Sequence, residues 1–234
     1  MPSFGLAFPV LAGKEPVTRD VAARLREQRD EYAQSRRLAG VSFERVYLQR
    51  NPDATSLVVA YLEGDRAFGE VMQALLSSDL SLDRYFIERN QEATGIDFRA
   101  GPTGPDPELV GEYVASNATR QGKGLAFAAP LQPGKTEAAR QFAREAYATR
   151  RSELAESRSE KGITREAVFV NQTPNGDLAV VYLEGVDPVE GNRQFAASSS
   201  SFDRWFKDRC KEIFPAFVNF DEPVPANEEI FSSI

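Results

Sequence analysis

Glu44 and Glu166, Tyr61 and Tyr182, Glu63 and Glu184, and Arg84 and Arg204 are the side chains of this chain whose types and spacing could do chemistry. The members of each pair lie about 120 residues apart. A glutamate held in an apolar chamber has its pKa raised and can act as an acid or a base. A tyrosine beside it can orient a ligand oxygen, and an arginine can clamp a carboxylate through parallel N–H donors. A plainer account stands beside each of these. The glutamates would sit at strand starts in solvent, and the tyrosines would fill core with their hydroxyls at the rim. Strand-edge glutamates are common, so this plainer account is preferred for Glu44 and Glu166. In Asp83-Arg84 and Asp203-Arg204, the aspartate would favour the first turn of a helix and the arginine would make a structural ion pair.

Composition narrows the chemistry further. The chain has no histidine. That excludes Ser-His-Asp and Cys-His nucleophile systems, histidine-ligated haem and the common zinc sites. Acid–base work falls to Asp, Glu, Tyr, Lys or water, and a metal site would have to be all-oxygen. No such site is apparent, and no cofactor is expected. Cys210 is the only cysteine, so no intrachain disulfide forms, and it reads as a small packing residue of a helix. Ser198 to Ser201 have no base beside them, and Gly101 to Gly104 lack the spacing of a phosphate loop. The net charge of −7 is spread over both halves, which argues against a nucleic-acid partner. The densest basic runs, Arg36-Arg37 and Arg150-Arg151, read as solvated helix faces. No apolar run is long enough to span a membrane and no secretory signal opens the chain, so a cytoplasmic location is expected.

What must position the candidate residues is a repeat. Gly5-Leu6-Ala7-Phe8 recurs as Gly124-Leu125-Ala126-Phe127, and Gly13-Lys14 as Gly134-Lys135. Tyr61-Leu62-Glu63-Gly64 recurs as Tyr182-Leu183-Glu184-Gly185, and Asp83-Arg84-Tyr85-Phe86 as Asp203-Arg204-Trp205-Phe206. The matches keep their order at nearly constant offset, which marks an internal duplication. Two copies are too few for a solenoid and read instead as a fused dimer.

Within a copy the pattern runs strand, helix, hairpin, two shorter helices, strand. The first strand covers Gly5 to Val10, or Gly124 to Ala129, and Pro9 makes its pairing irregular or places it at an edge. Gly40 and Gly162 end the first helices. Val41 to Gln49 and Ser56 to Glu63 flank the turn Asn51-Pro52-Asp53. Ile163 to Asn171 and Leu178 to Glu184 flank Thr173-Pro174-Asn175-Gly176. Brief last strands are expected at Ile96 to Phe98 and at Val218 to Phe220. Alternation puts Leu57, Val59, Tyr61 and Glu63 on one face of their strand, with Leu178, Val180, Tyr182 and Glu184 as partners. Glu44 shares a face with Val46 and Leu48, and Glu166 with Val168 and Val170.

The expected fold class is therefore α+β: two tandem ferredoxin-like modules of order β-α-β-β-α-β. Module 1 would cover residues 1–98 and module 2 residues 123–220, with a linker over 99–122 and a tail over 221–234. Glu108-Leu109-Val110 reads as the start of a short helix, and linker or tail could strap across the neighbouring module.

With its repeat and its Pro133-Gly134-Lys135 opening to a helix, matched by Ala12-Gly13-Lys14, the chain resembles the dimeric α/β-barrel superfamily. That superfamily includes antibiotic-biosynthesis-type monooxygenases and muconolactone-isomerase-like proteins. The resemblance implies two sheets packed face to face as an intramolecular barrel whose interior holds a small organic molecule; with no histidine for the superfamily's haem enzymes and no phosphate loop, neither haem nor a nucleotide is expected there. Glu44, Tyr61, Glu63, Glu166, Tyr182, Glu184, Arg84 and Arg204 would then be its ligand-binding candidates. The chain would be a pseudo-dimeric monomer with room for further dimerisation. The competing function is a non-catalytic interaction or scaffold module, which would show an exposed apolar patch rather than an enclosed pocket.

Overall fold

The structure, a computed structural model, describes residues 1–101 and 104–234. The linker expected over 99–122 includes Pro102 and Thr103, which lie outside the described residues. The chain forms two compact units: Met1–Pro107 with Glu228–Ile234, and Glu108–Asn227.

In the first unit, strand β1 (Ser3–Val10) leads to helices α1 (Glu15–Glu27) and α2 (Arg29–Ala39). Glu15 and Pro16 open α1 with an acid and a ring suited to the first turn, and Gly40 ends α2 at a left-handed φ of 76°. The hairpin strands are β2 (Val41–Arg50) and β3 (Ser56–Gly64). Helices α3 (Phe68–Leu76) and α4 (Ser81–Thr94) follow. In the second unit, β4 (Glu108–Val114) precedes β5 (Lys123–Pro130). Helix α5 (Thr136–Arg144) runs through a π turn at Glu145–Thr149 into α6 (Arg151–Glu160). Strands β6 (Ile163–Asn171) and β7 (Leu178–Gly185) form the hairpin, and α7 (Pro188–Ala197) and α8 (Ser201–Ile213) complete the helices. Asp187 caps α7 by accepting from the Glu190 N–H at 3.1 Å.

The last strand of each module does not lie where the sequence pattern placed it. Phe98–Ala100 is a turn of 3-10 helix, with Asp97 accepting from the Arg99 N–H, and residues 218–220 form no strand. Glu108-Leu109-Val110 begins β4, not a helix. The fourth strand of the first sheet is β8 (Glu228–Ser232), giving the order β1-β3-β2-β8, and β4 fills the same place in β4-β6-β7-β5. All observed pairings are antiparallel. The segment at 96–98 is too short and too close to a helix end to reach the open edge of β2. Both fourth strands carry a bulge, at Ile230 and at Val110, and the bulge turns an extra apolar side chain toward the helices.

Register decides which side chains meet. Glu44 lies opposite Leu62, Val46 opposite Ala60 and Leu6 opposite Ala60. These positions face α1 to α4, where Val21, Leu25, Val71 and Leu82 are buried against the sheet. Tyr61 lies opposite Arg45 and points to the other face. In the second unit, Glu166 lies opposite Leu183 on the helix side, and Tyr182 lies opposite Ala167 on the other face. Helix-side burial there joins Phe142, Ala146, Leu154, Phe206 and Ile213. The architecture is thus α+β, with two four-stranded antiparallel sheets in keeping with tandem ferredoxin-like modules. No helix among the described residues is long and apolar enough to cross a membrane.

Candidate functional site

Between the sheet and the helices of each unit lies a chamber of about 90 Å³. Both are walled mainly by apolar side chains: Phe127, Phe195 and Phe220 among others in the second unit, Leu6, Met72 and Leu75 in the first. Glutamate and arginine border each one: Glu44 with Arg36, and Glu166 with Arg158.

These pairs are buried. Arg36 and Glu44 are 4% and 3% exposed, and Arg158 and Glu166 are 5% and 4%. In the first unit Arg36 Nε donates to Glu44 Oε2 at 2.7 Å, and the Tyr32 hydroxyl donates to the same oxygen at 3.0 Å. Ser35 Oγ donates to Asp83 Oδ1 at 2.5 Å and accepts from Arg36 Nη1 at 2.9 Å. The second unit repeats the cluster with a tighter clamp. Arg158 Nε donates to Glu166 Oε2, Arg158 Nη2 to Oε1 at 3.1 Å, and the Tyr147 hydroxyl to Oε1 at 2.6 Å. Ser157 Oγ donates to Asp203 Oδ1 at 2.6 Å. Lys161 Nζ adds a second cation, 2.8 Å from Asp203 Oδ2.

Burial raises the Tyr32 and Tyr147 pKa values, and the neighbouring carboxylate raises them further, so both are neutral donors. Burial disfavours ionised Asp203, but hydrogen bonds from Lys161 and Ser157 outweigh it and hold its carboxyl at about 2. The guanidinium of Arg36 stacks on Tyr32 and Phe86, and that of Arg158 on Phe195 and Phe206, at centroid distances of 4.9 to 5.1 Å. Cys210 also lines the second chamber, and burial pushes its thiol up, away from the reactive thiolate.

The sequence-predicted residues divide in two. Glu44 and Glu166 face the chambers, so the preferred reading of solvated strand ends is overturned: α2 and α6 lay an arginine over each of them. Tyr61, Glu63, Tyr182 and Glu184 lie on the opposite sheet faces and do not join them. There the Tyr61 hydroxyl donates to Glu63 and the Tyr182 hydroxyl to Glu184 Oε2 at 2.7 Å, and Arg120 approaches Glu184 at 3.7 Å. Arg84 and Arg204 are exposed on α4 and α8, and it is Asp83 and Asp203 beside them that turn inward. Arg36 is no part of a solvated face, though Arg37 is exposed. Arg150 is half-buried, 4.0 Å from the Trp205 ring centroid.

The residues missed by the sequence reading are Tyr32, Ser35, Arg36, Tyr147, Ser157, Arg158 and Lys161. One signal was available: Ser35-Arg36 and Ser157-Arg158 stand at the same offset as Glu44 and Glu166. The tyrosines gave no such signal, because Tyr32 corresponds to Leu154 and Tyr147 to Leu25.

Residues 126–220 match the model of a family of unknown function, DUF6176. No curated protein matches the chain. Among solved structures, a candidate monooxygenase from Lactobacillus acidophilus NCFM superposes with a TM-score of 0.52 and 9% identity, over 92% of this chain and 90% of that one. A candidate monooxygenase from Fusobacterium nucleatum gives a TM-score of 0.49 and 9% identity, over 92% and 87%. An anthrone oxidase-like protein gives 0.47 and 11%, over 97% and 90%. At 9% identity the Lactobacillus likeness speaks for the fold alone.

Proposed function

We propose that each unit binds a small, largely apolar organic molecule in the chamber between its sheet and its helices. The glutamate–arginine pair would hold the molecule's polar group. The observation that carries this reading is the joining of an apolar chamber of about 90 Å³ to a buried carboxylate and guanidinium in both copies. Binding sites are mostly apolar with a few convergent polar groups, and these chambers have that character. An empty apolar chamber costs packing energy, which a ligand restores. The description of the Lactobacillus protein as a candidate monooxygenase agrees with a small organic molecule.

The test is native mass spectrometry of the purified chain, followed by a thermal-shift screen of small aromatic and aliphatic compounds. Binding at 100 times Kd raises stability by about 2.7 kcal/mol, a readily measured shift. Crystals soaked with a hit should show it against Phe206 or Leu62. Failure of every compound to shift the transition, with soaked crystals empty at both chambers, would sink the reading.

A further inference from the structure

The two buried clusters carry the same serine, arginine, glutamate and aspartate, but not the same charge. In the second unit, Arg158 and Lys161 face Glu166 and Asp203, two cations for two carboxylates. In the first, Arg36 is the one cation among the described residues that faces Glu44 and Asp83. Ala39 stands where the repeat has Lys161, at the offset shared by Ser35 and Ser157 and by Glu44 and Glu166. Asp83 is 1% exposed, and its nearest cation is Arg36 at 3.7 Å, against 2.8 Å for the ammonium on Asp203.

The hydrogen bonding differs in the same direction. Arg158 spans both oxygens of Glu166. Arg36 and Tyr32 both use Oε2 of Glu44, and no group among the described residues donates to Oε1. Glu44 is 3% exposed and borders the first chamber, so this acceptor is presented to whatever fills it. A buried carboxylate in excess over its cations is costly until a cation joins it. The second copy shows which cation the architecture accepts: a primary ammonium, held by Ser157 O at 3.2 Å and Asp203 at 2.8 Å.

We infer that the chamber of the first unit takes a short aliphatic primary amine. Its ammonium donates to Glu44 Oε1 and balances the charge of the first cluster, as Lys161 balances that of the second from its own place beside Asp203. Its alkyl chain lies among Leu6, Val46, Leu62, Met72 and Leu75. The inference rests on the binding role proposed above and adds the ligand class for one chamber of the pair.

The full-length chain is titrated at pH 7 with n-butylamine, 1-butanol and butyrate. Met72 gives a local readout, because it lines the first chamber and the only other methionine is Met1. With ¹³C-methyl methionine, the Met72 signal should move with n-butylamine at concentrations about tenfold below those needed for 1-butanol, the difference between a charge-assisted and a neutral hydrogen bond. Butyrate should not move it. The Ala39→Lys variant should bind n-butylamine at least about tenfold more weakly, because the chain then carries its own ammonium. Lysine is accommodated at that position in the other copy, so folding is expected, and circular dichroism checks it. Glu44→Gln should remove the preference for amine over alcohol. Equal binding of amine and alcohol by the parent chain, or unchanged amine affinity in folded Ala39→Lys, would overturn the inference while leaving the chamber a binding site. A Met72 signal that no compound moves would overturn the ligand-binding reading of this chamber as well.

Discussion

The ring of Tyr147 occupies the space a side chain on Gly111 would fill. A β-carbon placed on Gly111 would come within 2.5 Å of Tyr147 Cδ2. In the first unit the same strand position holds Phe231, and the tyrosine reaches its glutamate from another helical turn, as Tyr32, 5.0 Å from the Phe231 ring. Each copy thus sets a tyrosine hydroxyl on the buried glutamate by a different distribution of bulk. Gly111→Ala should destabilise the chain by about 1–3 kcal/mol through overpacking. Tyr147→Leu, the residue that the first copy carries at that point, should relieve part of the clash, so that the double variant loses less than the sum of the two. Thermal unfolding of both single variants and the double variant measures the coupling, and strict additivity would mean that the two sites do not share this space.

Arg158 and Glu166 are both buried, so neither tolerates loss of the other. Arg158→Met should cost about 3–5 kcal/mol, because it strands a carboxylate in an apolar chamber. Replacing both partners, as Arg158→Met with Glu166→Met, should recover much of that loss. Urea denaturation of the three chains reads it. If the single and double variants are equally unstable, the cost lies in packing and not in the unpaired charge.

The surface contrasts with this interior pair. Glu228 on β8 meets Arg19 on α1 at 2.6 Å, and Glu108 on β4 meets Arg140 on α5 at 2.8 Å, the same contact in both copies. All four side chains are at least a quarter exposed or nearly so, and exposed pairs contribute about 0.2–1 kcal/mol. Glu228→Ala and Glu108→Ala should each lower stability within that range, and the loss should fade as salt is raised toward molar concentration. A salt-independent loss beyond it would show that the contacts hold the edge strands in some other way.

Repetition made the fold legible where it coincided with local patterning. The hairpins at 41–64 and 163–185 announce themselves by alternation and turn residues, and they form as expected. The fourth strands were hidden because their partners are remote in sequence: Phe231 lies opposite Val46, and nothing local at 228–232 specifies that neighbour. The site was half legible for a similar reason. Glu44 and Glu166 stood out as repeated acids on apolar strands, but their surroundings depend on which helix covers them. Alternation alone could show that Tyr61 and Glu44 differ in face only after the register between β2 and β3 was known. Tyr32 and Tyr147 were invisible to the repeat because each copy places its tyrosine at a different turn.

Lys161 gives the second unit a pH signature. Hydrogen bonds from Lys161 and Ser157 depress the Asp203 carboxyl from 3.8 to about 2 despite its burial. A depressed carboxyl contributes stability that is fully present above its unfolded pKa and is lost as pH falls through the folded one. The window therefore runs from about pH 4 down to about pH 2, and the contribution above it is about 2 kcal/mol. Lys161→Ala reproduces the first copy's Ala39 and removes the nearest cation from a buried carboxylate. It should lower stability near neutral pH by at least that amount, and its difference from the parent chain should shrink as pH falls through the window, because protonated Asp203 no longer needs an ammonium. Lys161→Met keeps the length of the side chain and separates charge from packing. Urea midpoints from pH 2 to pH 7 for the parent and both variants provide the measurement. A Lys161→Met deficit that stays constant across this range would show that Asp203 does not owe its ionisation to Lys161.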